Sequence, residues 1–169
     1  CPVPLPMQDL VGVPDFAAGA MEYGGLFTFR ETALLAYATT SSDAAKQRVT
    51  VVVAHELAHQ WFGNLVTMAW WGSLFLNEGF AAYFEFEGTN YAHPEFGYWR
   101  QFLFANPQTA FSTDGYAATH PLVRADVQSS ANIEEMFDDI SYHKGASVIA
   151  MVRSHIEQNS PVPNAFSAA

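Results

Sequence analysis

The sequence predicts an α+β domain that is mostly α-helical, with a small strand component. Two observations carry this. Apolar residues recur at helical spacing in two long stretches, roughly 43–63 and 74–87, and one short run, 26–30, has the aromatic and β-branched character of a strand. A third sets the scale: 169 residues, half of them hydrophobic, suffice for one domain with a sizeable core.

Residues 1–18 are rich in proline and lack a helical period, so they read as extended segments and turns. The strand at 26–30 (Leu-Phe-Thr-Phe-Arg) comes next, and 31–35 reads as its continuation or a turn. Ser41, Ser42 and Asp43 offer N-caps for the first strong helix, 43–63, where Val49, Val52, Val53, Leu57 and Trp61 form an apolar surface and Gly63 reads as a C-cap. A connector with Trp70 and Trp71 leads to a second helix over 74–87 that stops near Gly88. A third helix is expected over 91–105 with Pro94 near its start, then irregular chain over 106–131. Asn132-Ile133-Glu134-Glu135 resembles a capping box, and the helix it opens is interrupted near Gly145 before the pattern resumes to Ile156. The expected domain covers 1–158, and 159–169 reads as a loose, disordered tail.

Charged residues make up 14% of the chain, against about a quarter in ordinary domains, and the net charge is -10. That balance argues against nucleic acid and anionic membranes as partners. Cys1 is the only cysteine, which rules out an internal disulfide. There is no signal peptide and no apolar run of transmembrane length. Because the chain opens on Cys1-Pro2 rather than on Met, those absences leave cytoplasmic and membrane-associated locations both open.

The chemistry is concentrated in His55-Glu56-Leu57-Ala58-His59, an H-E-x-x-H pattern, followed after eighteen residues by Glu78 in Asn77-Glu78-Gly79. Two histidines four apart on a helix point the same way, so both rings can reach one metal ion. A carboxylate from a following helix completes a two-His, one-Glu set of the kind that holds catalytic zinc and leaves a fourth position open. His55, His59 and Glu78 are therefore the expected ligands of one zinc ion. Glu56, one residue round the helix, is the expected general base, accepting a proton from water and passing it to a leaving amine. A donor for the developing oxyanion is also needed. Tyr142 is the candidate, although spacing alone does not separate it from six other tyrosines, and a packing role is the alternative. Gly19-Ala20-Met21-Glu22, just before the strand, offers backbone to pair with an extended peptide and a carboxylate to receive an amino group; a plain turn is the alternative.

Together these residues resemble the gluzincin aminopeptidases of the aminopeptidase N family. The likeness runs from about Pro4 to Ile156 and includes Gly19-Ala20-Met21-Glu22 placed 33 residues ahead of His55, the run from Gln60 to Thr67, and the run from Ile140 to Ala146. It implies a thermolysin-like zincin catalytic domain. It also implies that Glu22 binds the free α-ammonium of a peptide, that Gly19 and Ala20 contact the peptide backbone, that Met21 lies near the first side-chain pocket, and that Tyr142 stabilises the transition state. The substrates implied are peptides with a free N-terminus.

Two departures stand out. Tyr23 replaces the family's usual Asn after Glu22, followed by Gly24 and Gly25. Family members also carry an N-terminal β domain and a C-terminal helical domain that this chain lacks, so the expectation is a partial catalytic domain whose partners include those missing domains. Three alternatives stand beside the zinc aminopeptidase: a thermolysin-like endopeptidase, which the Gly19–Glu22 segment argues against; a leukotriene hydrolase-like bifunctional enzyme; and a catalytically incomplete zinc-binding fragment.

Overall fold

The computed structural model describes residues 2–162 and Phe166, with backbone alone at Ala105 and Asn106. It is an α+β fold dominated by helices, as the sequence predicts. Three short strands, β1 (Asp9–Val13), β2 (Ala20–Met21) and β3 (Leu26–Arg30), form a sheet in the order β1-β3-β2. β1 runs parallel to β3, and β2 runs antiparallel to it. In β3 the pleat buries Phe27 and Phe29 and turns Leu26 and Arg30 outward, the alternation its sequence carries. β1 lies within the proline-rich stretch read as extended chain. The segment 31–35 is neither strand nor simple turn: Glu31–Leu34 forms a one-turn helix, α1.

α2 (Asp43–Ala58) starts where expected, with the Ser42 hydroxyl accepting from the Ala45 N–H at 3.2 Å. It stops five residues short of Gly63, and His59 is its C-cap. The reason is a chain reversal. The carbonyls of His59, Gln60 and Trp61 accept the N–H groups of Asn64, Leu65 and Val66, so the helix end is satisfied by the chain folding back on it. Gly63, at φ 128°, makes that reversal possible, and a Cβ there would collide with the Asn77 side chain.

α3 (Phe75–Ala92) is the central helix, touching α2, α4 (Tyr98–Asp114) and α6 (Gly145–Asn159). It runs five residues past its expected end at Glu87 because Gly88 faces α2; a Cβ there would lie 3.8 Å from that of Ala54, so it lets two helices approach rather than ending one. The helix expected at 91–105 is displaced: His93 breaks the chain, a 3-10 turn spans Pro94–Phe96, and α4 starts after Gly97 at φ 61°. α4 continues through Pro107 to Asp114, so irregular chain begins only after it. Tyr83, Phe86, Tyr98, Phe102 and Ile149 bring α3, α4 and α6 into one buried cluster.

α5 (Ser130–Glu134) is capped by the Ser129 hydroxyl, three residues before the expected box. Ile140–Lys144 then forms one π-helical turn, and α6 begins at Gly145. Asp138 holds this turn, its Oδ1 accepting from the N–H groups of Ile140 and Ser141. Of the expected tail, Asn159 closes α6 and Phe166 stacks on Phe84, while 163–165 and 167–169 lie outside the described residues.

One crossing positions everything that follows. A Cβ on Gly79 of α3 would lie 3.1 Å from Gly145 Cα and from the Ser141 carbonyl oxygen, both backbone atoms that cannot swing away. Gly79→Ala is therefore expected to destabilise the fold by about 1–3 kcal/mol in urea unfolding. Gly88→Ala, entering ordinary van der Waals space, should cost little.

Candidate active site

A cleft of about 600 Å³ opens between the β2 edge, α2, α3 and the π-helical turn. Glu22, Glu56, Glu78 and Glu85 line it, with no lysine or arginine among its described lining residues. Such a cleft attracts cations.

α2 supplies His55 and His59, and α3 supplies Glu78. His55 Nε2 lies 3.0 Å from His59 Nε2 and 3.2 Å from Glu78 Oε2. His59 Nε2 lies 3.3 Å from the same carboxylate oxygen. Tetrahedral ligands bonded at about 2.0–2.1 Å are separated by about 3.3 Å, so this triangle fits one zinc-sized ion. The outer nitrogens strengthen the fit. His55 Nδ1 donates to Glu85 Oε2 at 2.6 Å, and His59 Nδ1 donates to the Phe62 carbonyl at 2.9 Å. With each Nδ1 so engaged, both Nε2 atoms face inward toward one carboxylate, an arrangement that suits a cation.

The titration behaviour follows from the same contacts. Burial would raise the Glu78 pKa, but hydrogen bonds from His55 and His59 outweigh it and hold the carboxyl well below its ordinary value. Burial would lower both imidazoles. At His55 the hydrogen bonds to Glu78 and Glu85 reverse this and raise the ring well above its usual pKa, and at His59 the hydrogen bond to Glu78 raises it. Glu56, also on α2, is 5% exposed and lines the same cleft. Burial pushes its pKa up to about 7, opposed by the two histidines and aided by Glu22 and Glu78.

Tyr142 comes from the π-helical turn. Its ring stacks on His55 at 5.9 Å between centroids and 8° between planes. Burial, then the Glu78 charge, pushes its hydroxyl well above the usual tyrosine value, so it stays a neutral donor. Gly145, three residues after Tyr142, packs against Gly79, so this crossing seats the turn that carries Tyr142 on α3.

Gly19, Ala20, Met21 and Glu22 all line the same cleft, along and beside β2. A Glu22 oxygen, a Glu56 oxygen and a His59 ring nitrogen lie within 4.8 Å of one another. The structure thus gathers all nine residues that the sequence singled out. Tyr23, by contrast, is 56% exposed. Trp71, from the connector between α2 and α3, is 40% exposed and lines the cleft.

Sequence reasoning missed the groups that orient the imidazoles. Glu85 was in principle legible, since it follows Glu78 by seven residues and so lies two turns along the same face of α3. The Phe62 carbonyl was not, because it depends on the chain reversal after α2. Asn77, which donates weakly to Glu78 Oε1 at 3.5 Å, was seen only as motif context.

Comparison with known proteins identifies the family. A Peptidase family M1 domain model matches residues 1–161. Aminopeptidase M1-A of Oryza sativa subsp. japonica is 54% identical over 155 residues, covering 92% of this chain and 17% of that protein. Endoplasmic reticulum aminopeptidase 1 of Homo sapiens is 50% identical over 159 residues, covering 94% and 17%. Aminopeptidase N of Homo sapiens is 48% identical over 160 residues, covering 94% and 16%. The chain thus spans about a sixth of the length of these relatives. With a family model matched over nearly its whole length, the chain belongs to peptidase family M1.

Proposed function

We propose that this chain carries the zinc centre of an aminopeptidase that hydrolyses the N-terminal peptide bond of peptides. The observation that carries the reading is the triangle of His55, His59 and Glu78, with the Glu22 and Glu56 carboxylates beside it in one acidic cleft. The names of the relatives support the same reaction. Residues 1–158 would form part of the catalytic domain, completed by further domains of a longer chain. Exposed aromatics such as Tyr91, Phe104 and Tyr37 suit surfaces that such domains would cover.

His55, His59 and Glu78 would hold one zinc ion. When bound, zinc polarises the scissile carbonyl and lowers the pKa of water toward neutrality. Glu56 would take the proton of the attacking water and deliver it to the leaving amine; a carboxyl tuned near 7 can do both at neutral pH. Tyr142 would donate to the carbonyl oxygen as negative charge develops there. Glu22 would pair with the substrate ammonium, which fixes the peptide's N-terminus and limits cleavage to the first bond. Gly19 and Ala20 would present backbone along the β2 edge to the peptide, with Met21 near the first side chain.

These roles separate by mutation. Glu56→Gln is expected to abolish turnover while retaining one zinc per chain by elemental analysis; loss of zinc together with turnover would contradict its assignment as base. Tyr142→Phe should lower kcat by about 10²–10³-fold, again with zinc retained. Glu85→Gln should weaken zinc binding by about 10–100-fold in competition with a chromophoric chelator, because it removes the carboxylate that orients His55.

A further inference from the structure

What fixes Glu22 relative to the metal ligands is not the sheet. β2 is two residues long and ends before Glu22. The Glu22 carbonyl instead accepts from two side-chain amides: Asn64 Nδ2 at 2.7 Å and, more weakly, Gln60 Nε2 at 3.4 Å. Gln60 is 1% exposed, and its Oε1 accepts from the Gly25 N–H at 3.2 Å, so one amide bridges both ends of the loop 22–25. Both amides sit on the reversal that follows His59. Asn64 N–H donates to the His59 carbonyl at 3.0 Å, and Leu65 N–H donates to the Gln60 carbonyl at 3.2 Å. The backbone that carries one expected metal ligand therefore also grips the backbone of the expected amine anchor.

We propose that Gln60 and Asn64 are positioning residues that set the distance between the Glu22 carboxylate and the metal triangle, and so determine how strongly the site prefers a free amino terminus. The inference rests on the amine-anchor reading of Glu22. The physical argument is one of tolerance. A Glu side chain on a loop without ladder hydrogen bonds sweeps a wide volume, and an ion pair with a substrate ammonium is strong only if the carboxylate is already in place. Two hydrogen bonds from side-chain amides to the carbonyl of the same residue remove that freedom at its source. Tyr23 to Gly25 then form a loop held at both ends, which allows Tyr23 to point outward without displacing Glu22.

Asn64 is exposed, so its replacement leaves the packed interior intact. The test uses zinc-loaded protein and two probes, leucine hydroxamate and its N-acetylated form, with binding of each measured by calorimetry. Both probes engage the metal alike, and only the first carries an ammonium, so the ratio of their dissociation constants reports the anchor alone. Asn64→Ala and Asn64→Leu differ in volume but both lack the donor. Each is expected to reduce the preference for the free amine by about tenfold, the upper end for a neutral hydrogen bond, while binding of the acetylated probe and zinc content stay unchanged. An unchanged preference in both variants, or equal weakening of both probes, would overturn the positioning role. Absence of any preference in the unsubstituted protein would overturn the amine-anchor reading, and this inference with it.

Discussion

Two imidazole nitrogens and a carboxylate oxygen held 3.0–3.3 Å apart in a largely buried cleft are the constraint around which the molecule is organised. Polar groups so placed are costly to desolvate unless each has a partner, and here every outward-facing polar atom of the two rings has one. Glu85 takes the far side of His55, and the Phe62 carbonyl takes the far side of His59. Neither partner is optional for geometry. Without them either ring could turn, and its Nε2 would no longer face Glu78.

The fold pursues this arrangement through close backbone approaches. Gly88 lets α3 lie near α2, Gly79 and Gly145 let the π-helical turn press on α3, and Gly63 lets the chain turn back under Asn77. Each approach delivers one group: the Glu78 side chain to the histidines, the Tyr142 ring to the face of His55, and the Phe62 backbone carbonyl to His59. The acidity of the cleft has a consequence of its own. Four glutamates exceed what one divalent ion neutralises, so the site keeps a negative field suited to an ammonium group. The net charge of -10 argues against nucleic acid and anionic membranes but could not show this, because a cleft's field depends on placement rather than on totals.

The site was more legible in the sequence than the fold around it. Helical periodicity places His55, Glu56 and His59 together without any tertiary information, and Glu78 reaches them because the link over 59–74 is folded back on α2 by the reversal after His59. Boundaries were less legible for particular reasons. Gly63 and Gly88 look alike as punctuation, yet one makes a left-handed turn beyond a helix end and the other a helix crossing, a distinction set by contacts distant in sequence. Pro107 lies inside α4, within the stretch from 106 expected to be irregular. The π-helical turn that carries Tyr142 adds one residue to a helical register, and no periodicity reports that.

The central claim is that this cleft joins a hydrolytic metal centre to an amine-recognising carboxylate. Its most direct test is hydrolysis of an aminoacyl fluorogenic amide by zinc-loaded protein, with the free-amine and N-acetylated substrates compared and a chelator control included. Cleavage of the free-amine substrate alone, abolished by the chelator, is the predicted result. Equal cleavage of both substrates would contradict the role assigned to Glu22, and cleavage that persists with the metal removed would contradict the role assigned to the triangle.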